Sequence, residues 1–221
     1  MYLKKGDDLF AVADMLANVP EAGEYCVADC LESGFVAELC AAGFLVMSYQ
    51  AGGSVLLYPK YHNVRSALFF DNLHVSKSVR RFLPRYELRF DCDFDVIVDT
   101  CVAKHGAQWL TEPLLVAIRE IRRAGDSPVR PVSFGVYRDG ELKAGEFGVV
   151  AGRVYTSYSG YYEENSAGRV QMILTARYLE QNGFAFWDLG MPLPYKNTLG
   201  AVDIDARDWT TRFREGLNAG N

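Results

Sequence analysis

Apolar and polar positions alternate through residues 132–138 and again through 142–150, and the two runs flank Asp139-Gly140, a dipeptide that favours a two-residue hairpin turn. A third alternating run covers 154–159. From 165 to 182 the spacing becomes helical: Val170, Ile173, Leu174 and Leu179 form one stripe, and Gly183 is the stop. A short apolar strand over 184–187 then ends at Asp188. Ligands collect where strands finish beside helix termini, so this hairpin, strand, helix and strand, closing on a carboxylate, is a site-building arrangement. Residues 131–201 are therefore where chemistry is expected.

The rest of the chain reads as support for that stretch. Phe10, Ala13, Leu16 and Ala17 make a helical stripe over 9–18, closed by Pro20. Val27, Leu31, Phe35, Leu39 and Ala42 predict a second helix over 27–42 with Gly43 as its cap. Strands are expected at 44–49 and 55–58, around the turn Ala51-Gly52-Gly53. Phe94, Ile97, Val98, Cys101 and Val102 place a helix over 93–104. Thr111 then starts another, with Glu112 and Pro113 in its first turn, Leu114, Leu115, Ile118 and Ile121 inward, and Arg119, Arg122 and Arg123 outward. Asp208, Trp209 and Phe213 are expected to pack back onto the body, and 216–221 has the composition of a frayed tail. The resulting division is residues 1–62 as a small N-terminal α+β domain and 63–221 as the main domain.

Composition narrows the class. With 49% hydrophobic and 23% charged residues, the chain is an ordinary packed protein. Its most apolar window, 34–49, carries Glu38 and two glycines and is too short to span a bilayer, so no membrane partner is expected. The N-terminus lacks a signal-peptide core, which makes the cytoplasm the expected compartment. The net charge of −5 sits in residues 1–62, where eight acids face three lysines, and the remainder is balanced. General nucleic-acid coating is excluded by that balance, but a local basic patch is not. Residues 73–89 supply one, with His74 followed by Lys77, Arg80, Arg81, Arg85 and Arg89 against Glu87 alone. Ser76 or Ser78 could cap a helix there, giving either a solvated face or a phosphate grip. The five cysteines form no CxxC pair and read as buried free thiols, and the three histidines are too dispersed for a metal motif.

At 73–81 (LHVSKSVRR), at Gln108-Trp109, along the strands from Ser133 to Gly152, and at Phe186-Trp187-Asp188 with Leu199-Gly200-Ala201, the chain resembles the leucyl/phenylalanyl-tRNA–protein transferases. The resemblance implies an α/β (α+β) fold with a GNAT-like acyltransferase core behind a small N-terminal domain. It implies transfer of an amino acid from aminoacyl-tRNA to the N-terminal amine of an acceptor protein, in the N-degron pathway. No cofactor is implied, since aminoacyl-tRNA would be a substrate, and a monomer is expected. Carried over residue by residue, it implies Asp188 as catalytic, His74, Lys77, Arg80 and Arg81 for tRNA, and a donor pocket at Trp109, Glu146, Tyr158, Ser159, Gly160 and Gly190; Arg119 and Arg123, outward on the helix behind Thr111, are added to the expected tRNA contacts.

Several of those positions depart from the family pattern. The family Gln two residues after the aspartate is Gly190 here, a Glu is Tyr158, and two Met residues of the apolar amino-acid pocket are Glu146 and Gly160. A further Glu in the first strand is Gly135. Asp188 either orients or deprotonates the acceptor ammonium or caps the next turn. Glu146 faces either the pocket, where it would need a cationic or hydrogen-bonding partner, or solvent, because residues alternate along a strand. Tyr155, Tyr158, Tyr161 and Tyr162 could stack on the terminal adenosine or simply reflect strand propensity. The expected function is thus aminoacyl transfer with a donor other than leucine or phenylalanine. The alternatives are a non-catalytic binder of tRNA or protein N-termini and, less favoured, an acetyl-CoA-dependent N-acetyltransferase.

Overall fold

The computed structural model describes residues 1–219. Helices α1 (Leu9–Asn18) and α2 (Ser33–Ala41) precede the hairpin of β1 (Leu45–Ala51) and β2 (Ser54–Lys60). Strand β3 (Val64–Leu68), helix α3 (Lys77–Arg80) and β4 (Glu87–Phe90) lead to α4 (Phe94–His105) and α5 (Glu112–Arg123). The central stretch is β5 (Arg130–Arg138), β6 (Glu141–Ala151), β7 (Val154–Tyr162), α6 (Ala167–Gln181) and β8 (Phe186–Asp188). Helix α7 (Pro194–Asn197), β9 (Val202–Asp205) and α8 (Ala206–Asn218) complete it.

Seven strands form one sheet in the order β4-β5-β6-β7-β8-β3-β9. The β5–β6 turn is the one the sequence predicts: Asp139 and Gly140 take φ of 54° and 82°, the left-handed pair that matches the twist of a tight hairpin. Strands β7 and β8 run parallel across the α6 crossover, whereas the other neighbours in the sheet are antiparallel. An antiparallel meander followed by a parallel βαβ unit is the GNAT-like core that the resemblance implies.

Each face of the sheet carries its own apolar layer, as a sheet buried on both sides requires. Val170, Ile173, Ala176 and Leu179 of α6 pack on Val132, Phe134, Tyr155 and Trp187. On the other face α4 and α5 cover Phe147 and Val149, together with α1, α2 and α8. Trp209 and Phe213 of α8 stack with ring centroids 4.6 Å apart, and both are buried.

Three strands escape the sequence pattern. β3 contains Arg65 and Ser66, both buried, so a central strand looks polar; β4 and β9 are four residues each. The second helix is shorter than expected, beginning at Ser33, because Val27 and Ala28 bridge to Tyr2 and Leu57. The tail is also more ordered than its composition implies: Gly216 is buried in α8 and its carbonyl accepts from Arg153 N at 3.0 Å. Gly220 and Asn221 lie outside the described residues. Of the thiols, Cys26, Cys40 and Cys101 are buried, but Cys92 is exposed, contrary to expectation, because it sits in the turn between β4 and α4.

Candidate active site

β7 continues to Tyr162 after β8 has stopped at Asp188, so past Thr156 the two parallel strands part. The chain leaving β8 is caught by β3: Leu189 N donates to Ser66 O at 2.9 Å and Ser66 N donates to Gly190 O at 2.8 Å. A cavity of about 850 Å³ opens at this parting. Residues 157–160 of β7, 189–191 after β8, Leu45 and Met47 of β1, Glu146 of β6 and Gln171 of α6 all line it. The six residues expected in a donor pocket, Trp109, Glu146, Tyr158, Ser159, Gly160 and Gly190, therefore surround one space.

Asp188 is not among the lining residues. It is fully buried, and Arg65 Nη1, also buried, reaches its Oδ2 at 2.5 Å. Thr156 Oγ1 donates to the same oxygen at 3.1 Å, and Gly190 N donates to Oδ1 at 2.9 Å. Arg65 is held in turn by the Gly43 carbonyl at 2.5 Å and lies 3.8 Å from the Trp209 ring centroid. Both oxygens are engaged and neither is exposed, so Asp188 meets Arg65, Thr156 and Gly190 in this structure and not the cavity. The residue positions the 188–190 loop. Gly190 there has φ of 71°, a left-handed conformation that favours glycine over the family Gln.

Glu146 faces the cavity rather than solvent. It is 6% exposed, and its cross-strand partner Gly160 has no side chain to cover it. Ser157 Oγ donates to Oε2 at 3.3 Å and itself accepts from Trp187 Nε1 at 2.7 Å. Among the described residues Oε1 has no hydrogen-bond partner of ordinary geometry. Burial pushes this carboxyl up to about 8, partly offset by Tyr155, Ser157, Gln171 and Lys196 nearby. Relative to its ordinary 4.5 the folded value is raised, so stability is fully present below about 4.5 and falls as pH rises through 8. Glu146→Gln is accordingly expected to raise the melting temperature at pH 8 and to leave it nearly unchanged at pH 4.5. Thermal denaturation at the two pH values checks this; a variant less stable at pH 8 would contradict the buried placement.

Other groups take positions that single-residue reasoning does not anticipate. The Tyr158 ring borders the cavity, but its hydroxyl turns away, 3.3 Å from Cys40 Sγ and accepting from Val46 N at 3.3 Å. Tyr155 is wholly buried against Phe134 and Trp187, which removes it as a stacking platform, whereas Tyr162 is exposed. Lys196 of α7 lines the cavity and donates to the carbonyls of Leu189 and Met191 at 2.5 and 2.6 Å, clasping the loop after β8. Burial lowers its amine from the ordinary lysine value. His62 also lines the cavity; burial, with Arg65, Lys60 and Lys196 near, brings it down to about 3 and keeps the imidazole neutral at physiological pH. Gln171, His62 and Lys196 stand alone in the sequence, and only the polar break in the α6 stripe at Gln171 could have drawn notice.

The basic segment is real but less helical than expected. α3 is four residues, because Pro84 and the turn at Leu83–Arg85 follow at once, and Ser76 makes no side-chain cap. His74, Lys77, Arg80, Arg81 and Arg85 are exposed, with Arg81 and Arg85 flanking the Phe82 ring at 4.8 and 5.3 Å. Arg119 is paired at the surface, its guanidinium on Asp95 at 2.8 Å and Asp99 at 2.7 Å, while Arg123 on the same helix is exposed.

A meander, a crossover helix and a cavity at the parting of two parallel strands make up the fold and its candidate site. Residues 67–214 match the family described as leucyl/phenylalanyl-tRNA protein transferase, and the chain belongs to that family. Its relatives include the leucyl/phenylalanyl-tRNA–protein transferases of Pseudomonas entomophila, 29% identical over 77% of this chain and 75% of that one, and of Pseudomonas putida, 31% identical over 78% and 76%. The family makes the protein an aminoacyltransferase. Among solved structures, FemX superposes with a TM-score of 0.49 at 12% identity, covering 92% of this chain and 78% of that one. A GCN5-related N-acetyltransferase from Kribbella flavida gives 0.41 at 11%, covering 91% and 74%. Both likenesses are weak, and the family assignment rests on the sequence match.

Proposed function

We propose that this protein moves an amino acid from aminoacyl-tRNA to the α-amine of an acceptor protein, as a cytoplasmic step that marks the acceptor for degradation, and that its preferred donor is neither leucyl- nor phenylalanyl-tRNA. The observation carrying the reading is the cavity at the β7/β8 parting, with a buried carboxylate where a pocket for leucine or phenylalanine needs apolar surface.

The chemistry asks little of an acid or base. The acceptor amine attacks the ester carbonyl carbon; the C–N bond forms, the C–O bond to the terminal ribose breaks, and the amine proton passes to the released hydroxyl through water. Because an α-amine titrates near 7.7–8.0, about a tenth is already neutral at pH 7. Alignment of two bound reactants can supply up to roughly 7–11 kcal/mol of the barrier. The Arg65–Asp188 pair, Lys196 and the β3 hydrogen bonds fix the loop that borders the cavity, which is a positioning role.

Incubation with a mixed pool of labelled aminoacyl-tRNAs and a model peptide tests the reading. Label is expected in the peptide; label that stays in RNA would overturn it, and leucine or phenylalanine as the best donor would overturn the specificity clause. The exposed bases are assigned to the tRNA backbone. Arg80→Ala with Arg81→Ala is expected to weaken tRNA binding and to reduce the slope of log affinity against log salt by about 1.4–1.8, one phosphate per guanidinium. Unchanged salt dependence would remove that assignment.

A further inference from the structure

The carboxylate in the cavity has an unusual setting. Glu146 is more than nine-tenths buried and, among the described residues, makes no ion pair and leaves Oε1 without a hydrogen bond of ordinary geometry. Its strand neighbour Gly160 holds the adjoining space open: a Cβ there would come within 3.0 Å of Glu146 Cβ. The amide nitrogen of Gln171, on the α6 wall, is spent on Thr175 Oγ1 at 2.9 Å. The Tyr155 hydroxyl, also buried and without a hydrogen bond of ordinary geometry, lies beside Glu146, and Oε1 is left to meet an occupant of the cavity.

None of the cations that line the cavity is in ion-pair contact with Glu146, although Lys196 is near enough to favour its charged form. Lys196 directs its ammonium to the carbonyls of Leu189 and Met191, and Lys60 pairs with Glu24 at 3.1 Å. Arg169 lines the cavity from α6 without an ion pair to Glu146. Burial without a cation favours the neutral form of this carboxyl, and a ligand that brings a cation favours loss of the proton and forms the missing ion pair.

We infer that the aminoacyl group carried into this cavity has a cationic side chain of the lysine or arginine class, received by Glu146. The inference rests on the transfer reading above and names its substrate class. A pocket built around a buried polar group rejects analogues that leave it unpaired far more strongly than an apolar pocket separates two hydrocarbons. Glu146 is then the specificity-determining residue, and Gly160 keeps the room it needs.

Two measurements test this. In transfer assays with individually charged tRNAs, lysyl or arginyl donors are expected to exceed leucyl and phenylalanyl donors in kcat/KM by about 10²-fold or more. Glu146→Met is expected to erase that preference and Glu146→Gln to lower the ratio of cationic to leucyl transfer. A leucyl, phenylalanyl or neutral amide donor as the best substrate, or a Gln variant that transfers cationic residues at the wild-type rate, would overturn the inference. Independently of catalysis, a 3′-lysylamido-adenosine is expected to raise the melting temperature more than its phenylalanyl counterpart, and Glu146→Gln to abolish the difference. If that binding preference is found but no aminoacyl-tRNA is a donor, the transfer reading fails while the pocket assignment stands; equal binding of the two analogues overturns the pocket assignment itself.

Discussion

Replacing Asp188 by asparagine is expected to destabilise the protein by about 3–5 kcal/mol, because it strands the Arg65 guanidinium in the core with no counter-charge. The setting makes this large. Arg65 is 1% exposed and Asp188 is 0% exposed, so water cannot replace the lost partner. Arg65 Nε already lacks an acceptor. The pair also joins distant parts of the chain, β3 to β8, and through the Gly43 carbonyl reaches the turn after α2. Urea denaturation checks the loss, and Arg65→Met combined with Asp188→Asn is expected to recover part of it, since the double variant buries no net charge. Transfer by the asparagine variant, measured at low temperature where it stays folded, is expected to be weakened but present. A variant of wild-type stability with no transfer at all would place Asp188 in the chemistry itself.

Gly200→Ala is expected to be comparably damaging, about 3–5 kcal/mol, on two counts that reinforce each other. Gly200 has φ of 103°, which an alanine adopts only with strain, and an added Cβ would stand 1.8 Å from the Asn72 carbonyl oxygen. One of the two chain segments must shift. The neighbouring bond from His74 N to Leu199 O, 2.8 Å, fixes the entry to the basic segment, so tRNA affinity should fall although no charge has changed. Denaturation and tRNA binding together check this; an alanine variant normal in both would contradict the close approach.

What the sequence revealed and what it hid divide along physical lines. Local signals were sufficient for the Asp139-Gly140 hairpin, for α5 behind Thr111 and for α6, because each depends on residues within one or two turns. β3 was hidden because its inward residues include Arg65 and Ser66, and an alternation rule treats a charge as an outward position. The arginine becomes intelligible only with its partner 123 residues away. The site was legible as a place, the end of β8, but not in its roles. Asp188 was visible as a carboxylate at a strand end, and its burial under Arg65 was not. Glu146 was visible as a polar residue where the family is apolar; which way it faced depended on register, set by its pairing with Gly160 across β6 and β7. His62, Gln171 and Lys196 reach the cavity from the β2–β3 connection, α6 and α7, a convergence that no local pattern encodes.

The reaction proposed for this protein makes a peptide bond at an acceptor's N-terminus from an amino acid delivered on tRNA. Tandem mass spectrometry of a model peptide, offered with a free and with an acetylated N-terminus in the presence of unfractionated aminoacyl-tRNA, tests it most directly. The expected result is one added amino-acid residue at the free N-terminus and none on the acetylated peptide. A folded protein that leaves both peptides unchanged, or adds the residue to the acetylated one, would contradict the account.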